Sequence, residues 1–413
     1  MSYFAEMSTT LITNIKSLLQ TDDGNRKLVS GKDMAVIPSI DNAWLLIENN
    51  RIHSFGKMDT VPERADNYKD VTGKFVLPAW CDSHTHLVFA DSREEEFVMR
   101  IQGKTYEEIA EAGGGILNSA RKLHAMDFEL LYEKTAQRLE QVMSYGTGAI
   151  EIKSGYGLTT ESEIKMLKVI RKLKENYTLP IKATFLGAHA IPTEYKTNRQ
   201  GYIKLLIEEM LPKIAAEGLA DYCDVFCENG FFSVDETDII LQAAAKFGLK
   251  PKIHANQLSN SGGVQIGVKN NAISVDHLEE IGEAEIQSLL HSNTLPVALP
   301  SCSFFLGIPY TPGRKIIDAG LPLVLATDFN PGSTPSGNIS FVISLACIRM
   351  KLTPEEAINA VTINGAKAME LENEVGTIAI GKRANLIITK PMKNIAYLPY
   401  AFGTNHIDEV IIG

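Results

Sequence analysis

The chain has 413 residues, of which 45% are hydrophobic and 22% charged, a composition typical of a folded globular protein. Its formal net charge of −10 argues against a nucleic-acid partner, because phosphate binding needs clustered Lys and Arg. The five cysteines are scattered and form no Cys-x-x-Cys pair, so neither a disulfide framework nor a thiolate zinc site is indicated. No run of about eighteen apolar residues occurs, so we expect a cytoplasmic protein without a membrane partner.

The first part of the chain contains short apolar segments broken by Gly, Asp and Asn. Residues 44–52 resemble a strand, an Asn-Asn turn and a second strand. A similar β-rich texture returns at residues 375–388. Because two β-rich ends bracket a long middle section, we predict a small β-sandwich domain built from residues 1–74 and 375–413.

The middle section, residues 75–374, alternates short apolar runs with amphipathic helical stretches. This alternation predicts an α/β protein with a (β/α)₈ TIM-like barrel. The eight predicted strands are Phe75 to Cys81, Thr147 to Ile152, Ile181 to Leu186, Tyr222 to Phe226, Lys250 to Ile253, Ala272 to Val275, Leu295 to Leu299 and Pro322 to Ala326. The predicted helices include Tyr106 to Ala112, Phe128 to Ser144, Thr160 to Glu175, Ile203 to Glu217, Val234 to Phe247 and Glu280 to Leu290.

Polar side chains follow several of the predicted strands, where a barrel of this kind carries its reactive residues. In the strand-like stretch that contains His84 and His86, alternate side chains share a face, so both imidazoles point the same way. Asp328 follows a stretch too apolar to tolerate an unpaired charge. Five of the nine histidines lie at predicted strand ends: His84, His86, His189, His254 and His277.

Three neutral imidazoles and one carboxylate suit one divalent metal ion per chain, either Zn²⁺ or Fe²⁺, with a position left for water. We therefore predict that the metal ligands are His84, His86, His254 and Asp328. The alternative is a set of core histidines, each satisfied by a backbone carbonyl. The sequence does not decide between the two metals, because both accept the same ligands.

The segment Pro78 to His86 resembles the opening signature of the metal-dependent amidohydrolase superfamily. Finer motifs resemble the imidazolonepropionase family, over about residues 40 to 390; they lie at 92–97, 113–116, 151–158, 185–189 and 326–333. The resemblance implies hydrolysis of imidazolone propionate to N-formiminoglutamate, as part of histidine degradation. It also implies a single metal in a barrel flanked by a β-sandwich, and a homodimer.

The resemblance implies roles for individual side chains. Asp328 is expected to pass a proton from water to the departing ring nitrogen, unless it only holds the metal. His277 is expected to polarise the carbonyl or stabilise the oxyanion, unless it is a structural residue bonded to Asp276. Arg93 fits the propionate carboxylate, unless it forms an exposed salt bridge with its neighbouring glutamates. Further expected contacts are Tyr156 and His189 to the substrate and Asn330, Gly332 and Ser333 to the opened product.

One position departs from part of the family. Some members carry glutamate three residues after the ligand histidine, whereas Gln257 follows His254 here. Glutamine is not a base, but it can orient substrate or water through hydrogen bonds. Proton transfer then falls to Asp328, with His277. The second hypothesis is a related amidohydrolase, either a deaminase or a hydrolase of another small ring, and the missing acid makes a deaminase less favoured. The third hypothesis is a catalytically silent scaffold.

Two further expectations concern residues outside the predicted site. Lys153 could bridge two metals after carbamylation, but a structural ion pair is the favoured interpretation. The four remaining histidines lie in polar surroundings and are expected at the surface: His53, His124, His291 and His406.

Overall fold

The computed structural model describes residues 8–104, 108 and 114–413. The predicted helix from Tyr106 to Ala112 falls, apart from residue 108, outside the described residues. The strands, numbered β1 to β15, are Thr9–Leu19, Ser39–Glu48, Arg51–Lys57, Asn67–Asp70, Phe75–Pro78, Trp80–Asp82, Thr147–Lys153, Ile181–Ala188, Tyr222–Cys227, Lys250–Ala255, Ser274–His277, Leu295–Ala298, Val324–Leu325, Leu386–Thr389 and Ile407–Ile411.

Strands β6 to β13 form an eight-stranded parallel sheet in sequential order. A parallel bridge between Thr85 and Phe329, just beyond β6 and β13, joins the first strand to the last and closes the barrel. Apolar side chains of the strands and of the surrounding helices form one continuous core, as burial of parallel strands on both faces requires. The predicted (β/α)₈ barrel is therefore confirmed.

The other strands form a seven-stranded mixed sheet in the order β15-β14-β5-β1-β2-β3, with β4 also paired to β1. Asn49 and Asn50 connect β2 to β3 with φ of +49° and +62°, so the predicted Asn-Asn hairpin turn is present. The predicted β-rich unit from both chain ends is thus confirmed as a separate mixed sheet. The division into domains 1–74 with 375–413 and 75–374 stays a prediction.

The first predicted barrel strand is split in the structure. Phe75–Pro78 pairs with β1 and β14 in the mixed sheet, and only Trp80–Asp82 enters the barrel. At the junction, the amide of Ala79 donates to the carbonyl of Asn385 at 2.9 Å. The chain therefore passes from one sheet into the other at Ala79, five residues before His84, the first metal-ligand candidate.

Helices surround the barrel between its strands. The predicted helix from Ile203 to Glu217 is interrupted by a π-helical turn, Leu206–Met210, just before Pro212, which lacks an N–H to continue the α-helical pattern. Among the described residues, no helix combines the length and apolar character needed to cross a membrane. The α-helices are Glu94–Ile101, Ile116–Ala125, Phe128–Ser144, Thr160–Asn176, Arg199–Leu205, Leu211–Ala216, Val234–Ala245, Gly263–Lys269, Glu283–Leu290, Pro300–Leu306, Gly313–Asp318, Ile339–Met350, Pro354–Val361, Ile363–Ala368 and Tyr397–Tyr400.

Candidate active site

Closure of the barrel brings the metal-ligand candidates from its first and last strands together. The amide of Asp328 donates to the carbonyl of His84 at 3.0 Å. One strand position earlier, Asp82 accepts hydrogen bonds from the amide and the hydroxyl of Thr327 at 3.1 and 2.7 Å. These bonds hold the ends of β6 and β13 side by side, so their side chains enter the same space.

The donor atoms of the four candidate ligands lie close to one another. Nε2 of His86 lies 3.3 Å from Nε2 of His84 and 3.4 Å from Nε2 of His254. Oδ1 of Asp328 lies 3.5 Å from Nε2 of His84 and 3.5 Å from Nε2 of His86. Bonds of about 2.0–2.1 Å to a zinc ion place ligand atoms roughly 3.3 Å apart. The donor atoms of His84, His86 and Asp328 lie within 4.8 Å of one another, as do those of His84, His254 and His277, so both groups suit a metal ion. The binding of one ion by His84, His86, His254 and Asp328 together stays a prediction.

Two buried carboxylates orient two of the candidate ligand histidines. Oδ2 of Asp276 lies 2.6 Å from Nδ1 of His84, and Oδ1 of Asp224 lies 3.0 Å from Nδ1 of His254. Because a carboxylate only accepts hydrogen bonds, each Nδ1 carries a hydrogen, and Nε2 is the ring nitrogen left to bind an ion.

The pKa shifts of His84 and Asp328 indicate that this cluster favours a positive charge. Burial and Lys153 lower the pKa of His84, but the carboxylates of Asp276 and Asp328 outweigh them and raise it to about 9. Burial alone would raise the pKa of Asp328, yet the adjacent His84 and His86 hold it well below its usual value. Asp328 therefore offers an ionised oxygen to a cation.

A buried ionic network supports the two orienting carboxylates. Nζ of Lys153 lies 2.7 Å from Glu151 and 2.8 Å from Asp224. It also lies 3.8 Å from Asp276. Lys252 pairs with the other oxygen of Glu151. All five side chains are inaccessible to solvent, so each charge depends on its partners for compensation. Lys153 thus forms the ion pairs that the sequence favoured.

His277 lies beside the ligands with a free ring nitrogen. Its Nδ1 is buried and has no hydrogen-bond partner among the described residues, and Glu279 approaches it only to 3.6 Å. Its ring centre is 5.3 Å from that of His254. The alternative in which Asp276 holds His277 is wrong, because the Asp276 carboxylate binds His84. The His277 φ of +87° is strained for a non-glycine residue, a feature common at functional sites.

A cavity of about 200 Å³ opens beside these groups. Arg93 lines it with a side chain that is only 10% exposed, so the alternative of an exposed salt bridge is wrong, although its Nε lies 3.9 Å from Oε1 of Glu96. Its Nε donates to the hydroxyl of Ser119 at 2.9 Å, whereas its Nη2 is buried without a partner among the described residues. The cavity also contains most of the other predicted site residues: His86, Tyr156, His189, His254, Gln257, His277, Asp328, Asn330, Gly332 and Ser333.

Tyr156 and His189 face each other across the cavity wall, with ring centres 5.4 Å apart. Nδ1 of His189 lies 3.0 Å from the carbonyl oxygen of Gly155, so it carries the hydrogen and leaves Nε2 as an acceptor. Burial lowers the pKa of His189 well below its usual value, which keeps the ring neutral. Burial also raises the pKa of Tyr156, which keeps its hydroxyl a donor.

Glu163 organises the loop that carries Tyr156. Its buried carboxylate accepts hydrogen bonds from the amides of Gly155, Gly157 and Leu158 at 3.1, 2.7 and 2.8 Å. Gly157 packs so tightly that an added Cβ would lie 2.4 Å from the Glu163 backbone nitrogen. The loop therefore presents Tyr156, and through the Gly155 carbonyl also His189, in a fixed geometry.

Asn330 organises the loop after β13. Its amide nitrogen donates to the carbonyl of Asp328 and to the hydroxyl of Ser333, both at 2.7 Å. Its Oδ1 accepts from the amides of Gly332 and Ser333, both at 2.8 Å. The hydrogen bonds of Asn330 thus hold Gly332 and Ser333 at the cavity. Gln257, on the opposite wall, has its Nε2 3.4 Å from the Cys302 sulfur.

Sequence reasoning missed several residues that shape this site. Asp224 and Asp276 lie in apolar strands, and a buried acid in such a strand was the available signal. Glu163 and Arg100 gave no such signal, because each lies in an amphipathic helix where a polar residue is expected. One surface prediction is wrong: His406 is buried and packs against Tyr397, whereas His53, His124 and His291 are exposed.

The chain matches the amidohydrolase family over residues 75–413. It is 60% identical to the imidazolonepropionase of Christiangramia forsetii and 61% identical to that of Flavobacterium johnsoniae, over 98% of each chain in both cases. Its fold resembles a triazine hydrolase variant (TM-score 0.74, 15% identity, 98% of this chain and 93% of that one). It also resembles a guanine deaminase from C. acetobutylicum (TM-score 0.72, 15% identity, 98% and 99%). The chain therefore belongs to the amidohydrolase family and, within it, to the imidazolonepropionases.

Proposed function

We propose that the chain hydrolyses the cyclic amide C–N bond of 4-imidazolone-5-propanoate to give N-formimino-L-glutamate, a step of histidine degradation. Water adds its oxygen to the ring carbonyl carbon, the bond from that carbon to the ring nitrogen breaks, and the nitrogen takes up a proton. The observation that carries the proposal is the convergence of three imidazoles and a carboxylate beside a buried guanidinium that has an unpaired N–H.

The proposed metal ligands are His84, His86, His254 and Asp328. A divalent ion, Zn²⁺ or Fe²⁺, held by them would activate water and polarise the carbonyl. His84 and His254 contribute neutral Nε2 atoms whose orientation Asp276 and Asp224 maintain. The fit of the donor distances to one ion supports a single metal per chain.

Asp328 is the proposed proton carrier. It accepts a proton from the attacking water and delivers it to the departing ring nitrogen. Its Oδ2 lies 3.3 Å from the hydroxyl of Ser333, which can steady it. Gln257 offers no base, so its proposed task is to orient the ring. His277, whose buried Nδ1 has no partner among the described residues, donates an N–H to the developing oxyanion.

The remaining cavity residues bind the substrate. The free Nη2 of Arg93 donates to the propionate carboxylate, because an unpaired buried donor gains most from an anionic acceptor. Nε2 of His189 accepts a ring N–H, and the Tyr156 hydroxyl donates to a ring or carboxylate oxygen. The opened product contacts the loop that places Gly332 and Ser333, with Asn330 bracing it.

We also propose a homodimer that acts in the cytoplasm on a small-molecule substrate, as the family resemblance implies. Light scattering of the purified protein tests the first part. A dimer gives a mass near twice the 45.4 kDa of one chain, and a mass near 45.4 kDa would refute it.

The decisive experiment measures the loss of imidazolone propionate by the wild-type protein, Asp328→Asn and Arg93→Ala, with elemental analysis of each. We expect Asp328→Asn to lose about 10²–10⁴-fold in kcat, and Arg93→Ala to raise KM with a smaller change in kcat. Equal activity in the three proteins would refute the mechanism. Turnover of ring analogues without a carboxylate would instead favour a deaminase or another ring hydrolase, and metal-free inactive protein would favour a scaffold.

A further inference from the structure

A second guanidinium reaches the active-site cavity. Arg100 lies in the last turn of the helix Glu94–Ile101 and lines the cavity together with Arg93. Its Nη1 lies 3.4 Å from the carbonyl oxygen of Gly332, and its guanidinium carbon lies 5.8 Å from the ring centre of Phe305. The side chain is partly buried, so its charge is not simply dispersed in bulk water.

The guanidinium groups of Arg93 and Arg100 both lie next to the backbone of Gly332. A Cβ on Gly332 would lie 2.5 Å from Nη1 of Arg93, well inside contact distance. Gly332 does not have a positive φ, so the backbone itself does not require glycine there. The glycine makes room for Arg93, while Arg100 approaches its carbonyl. Both cations therefore border the same part of the cavity.

The positive charge at this place is only partly compensated. Glu96 approaches Arg93 to 3.9 Å, and the other acid in the cavity wall, Asp328, faces His84 and His86. Among the described residues, Arg100 contacts the carbonyl of Gly332 and the ring of Phe305, and neither group carries a formal negative charge. The chain as a whole carries a net charge of −10 and repels anions. Two neighbouring guanidinium groups nevertheless make this cavity locally positive, and a positive cavity attracts an anion.

We propose that Arg100 is a specificity-determining residue that binds the side-chain carboxylate of the ligand jointly with Arg93, next to Gly332. The inference rests on the proposed function, which supplies a ligand with one side-chain carboxylate. A planar guanidinium binds a carboxylate through paired N–H donors, and a second guanidinium uses the oxygen lone pairs that the first leaves free. A ligand without the carboxylate leaves both cations unpaired in a confined cavity, so the pair rejects uncharged rings.

The test uses two ring ligands that cannot be hydrolysed: imidazole-4-propanoate and its uncharged carboxamide. Calorimetry measures their affinities for the metal-loaded wild-type protein, Arg100→Met, Arg100→Lys and the control Arg171→Met, a surface arginine outside the cavity. We expect Arg100→Met to weaken binding of the carboxylate roughly 10- to 100-fold, the range for bonds to a charged group, and binding of the carboxamide less than about twofold. Arg100→Lys should fall between, and Arg171→Met should match the wild type.

Two results would overturn the inference. Equal weakening of both ligands in Arg100→Met would mean that Arg100 only supports the cavity wall, and unchanged affinity for the carboxylate would mean that it does not reach the ligand. A parallel turnover assay of the wild-type protein separates this from the proposed function. Failure to hydrolyse imidazolone propionate would refute both, whereas normal turnover with an unaffected Arg100→Met would refute only the role of Arg100.

Discussion

The carboxylate of Asp276 lies 2.6 Å from Nδ1 of His84, although the two residues are 192 positions apart in the chain. Both side chains are fully buried, so the contact is shielded from water. Asp224 and His254 repeat the arrangement at 3.0 Å. Two of the three proposed imidazole ligands are therefore oriented by acids that are not themselves among the proposed ligands.

Asp276→Asn should weaken metal binding about 10- to 100-fold, the usual cost of losing such a supporting group. The asparagine NH₂ can donate to Nδ1 of His84, which moves the imidazole hydrogen to Nε2 and blocks the ligand lone pair. Competition with a chelator measures the metal affinity. Asp318→Asn, at an exposed position, is the control. A variant that holds metal as tightly as the wild type would show that the tautomer is set elsewhere.

Metal uptake should release a proton from His84. The pKa of this imidazole is raised to about 9 by the neighbouring carboxylates, so below pH 9 the metal-free ring is protonated and the ion must displace the proton. Metal affinity should therefore rise about tenfold per pH unit between pH 7 and 9 and then level off. Calorimetry in buffers of different ionisation enthalpy counts the protons. No release at pH 7.5 would contradict the prediction.

Lys153→Met should lower the free energy of unfolding by about 3–5 kcal/mol, because it leaves buried carboxylates without a positively charged partner. Burial raises the pKa of Asp224, yet His254 and Lys153 hold it well below its usual value. That stabilisation is present above the unfolded pKa near 4 and is lost as pH falls through the folded pKa. Without Lys153 the folded pKa rises, so acid unfolding should begin at higher pH.

Circular dichroism during urea and acid titrations measures both effects of Lys153→Met. Lys315→Met removes a lysine that is half exposed and is the matched control, expected to change stability by less than about 0.5 kcal/mol. Acid unfolding at the same pH in all three proteins would show that the network does not hold these carboxylates ionised.

Glu163→Gln should raise KM about 2- to 10-fold with a smaller change in kcat. The amide keeps one acceptor oxygen but turns an NH₂ group towards a backbone N–H, so at least one of the three loop bonds is lost. Tyr156 and His189 then lose their fixed placement. Steady-state kinetics checks the split, with Glu161→Gln, an exposed residue of the same helix, as control. A fall in kcat alone would assign Glu163 a different role.

The barrel could be predicted from sequence because parallel strands buried on both faces produce continuous apolar runs. All eight runs correspond to strands, with ends shifted by a few residues. The split of the first run could not be foreseen, since Phe75–Pro78 and Trp80–Asp82 are both buried and their different strand partners leave no local signal. The pairing of Phe75–Pro78 with β14 depends on a segment about 310 residues later in the chain, and the local sequence pattern does not indicate it.

The meeting of the candidate ligands in one place could be predicted, because strand ends share one edge of a barrel. The supporting residues could not, because their roles are pairwise. Asp276 adjoins His277 in sequence, and a hydrogen bond between them was the alternative that the sequence left open, but adjacent residues in a strand face opposite ways and Asp276 points to His84. The position of Arg100 at the cavity could not be predicted either, because only the fold shows that the last turn of its helix borders the cavity.

Strand β5 belongs to the mixed sheet and β6 to the barrel, and one residue, Ala79, separates them. At no more than about 3.5 Å of reach per residue, His84 and His86 are tethered closely to a sheet assembled from both ends of the chain. A minimal catalytic fragment of this protein must therefore carry both terminal segments. Excising the barrel alone would free the short strand on which two of its proposed ligands depend.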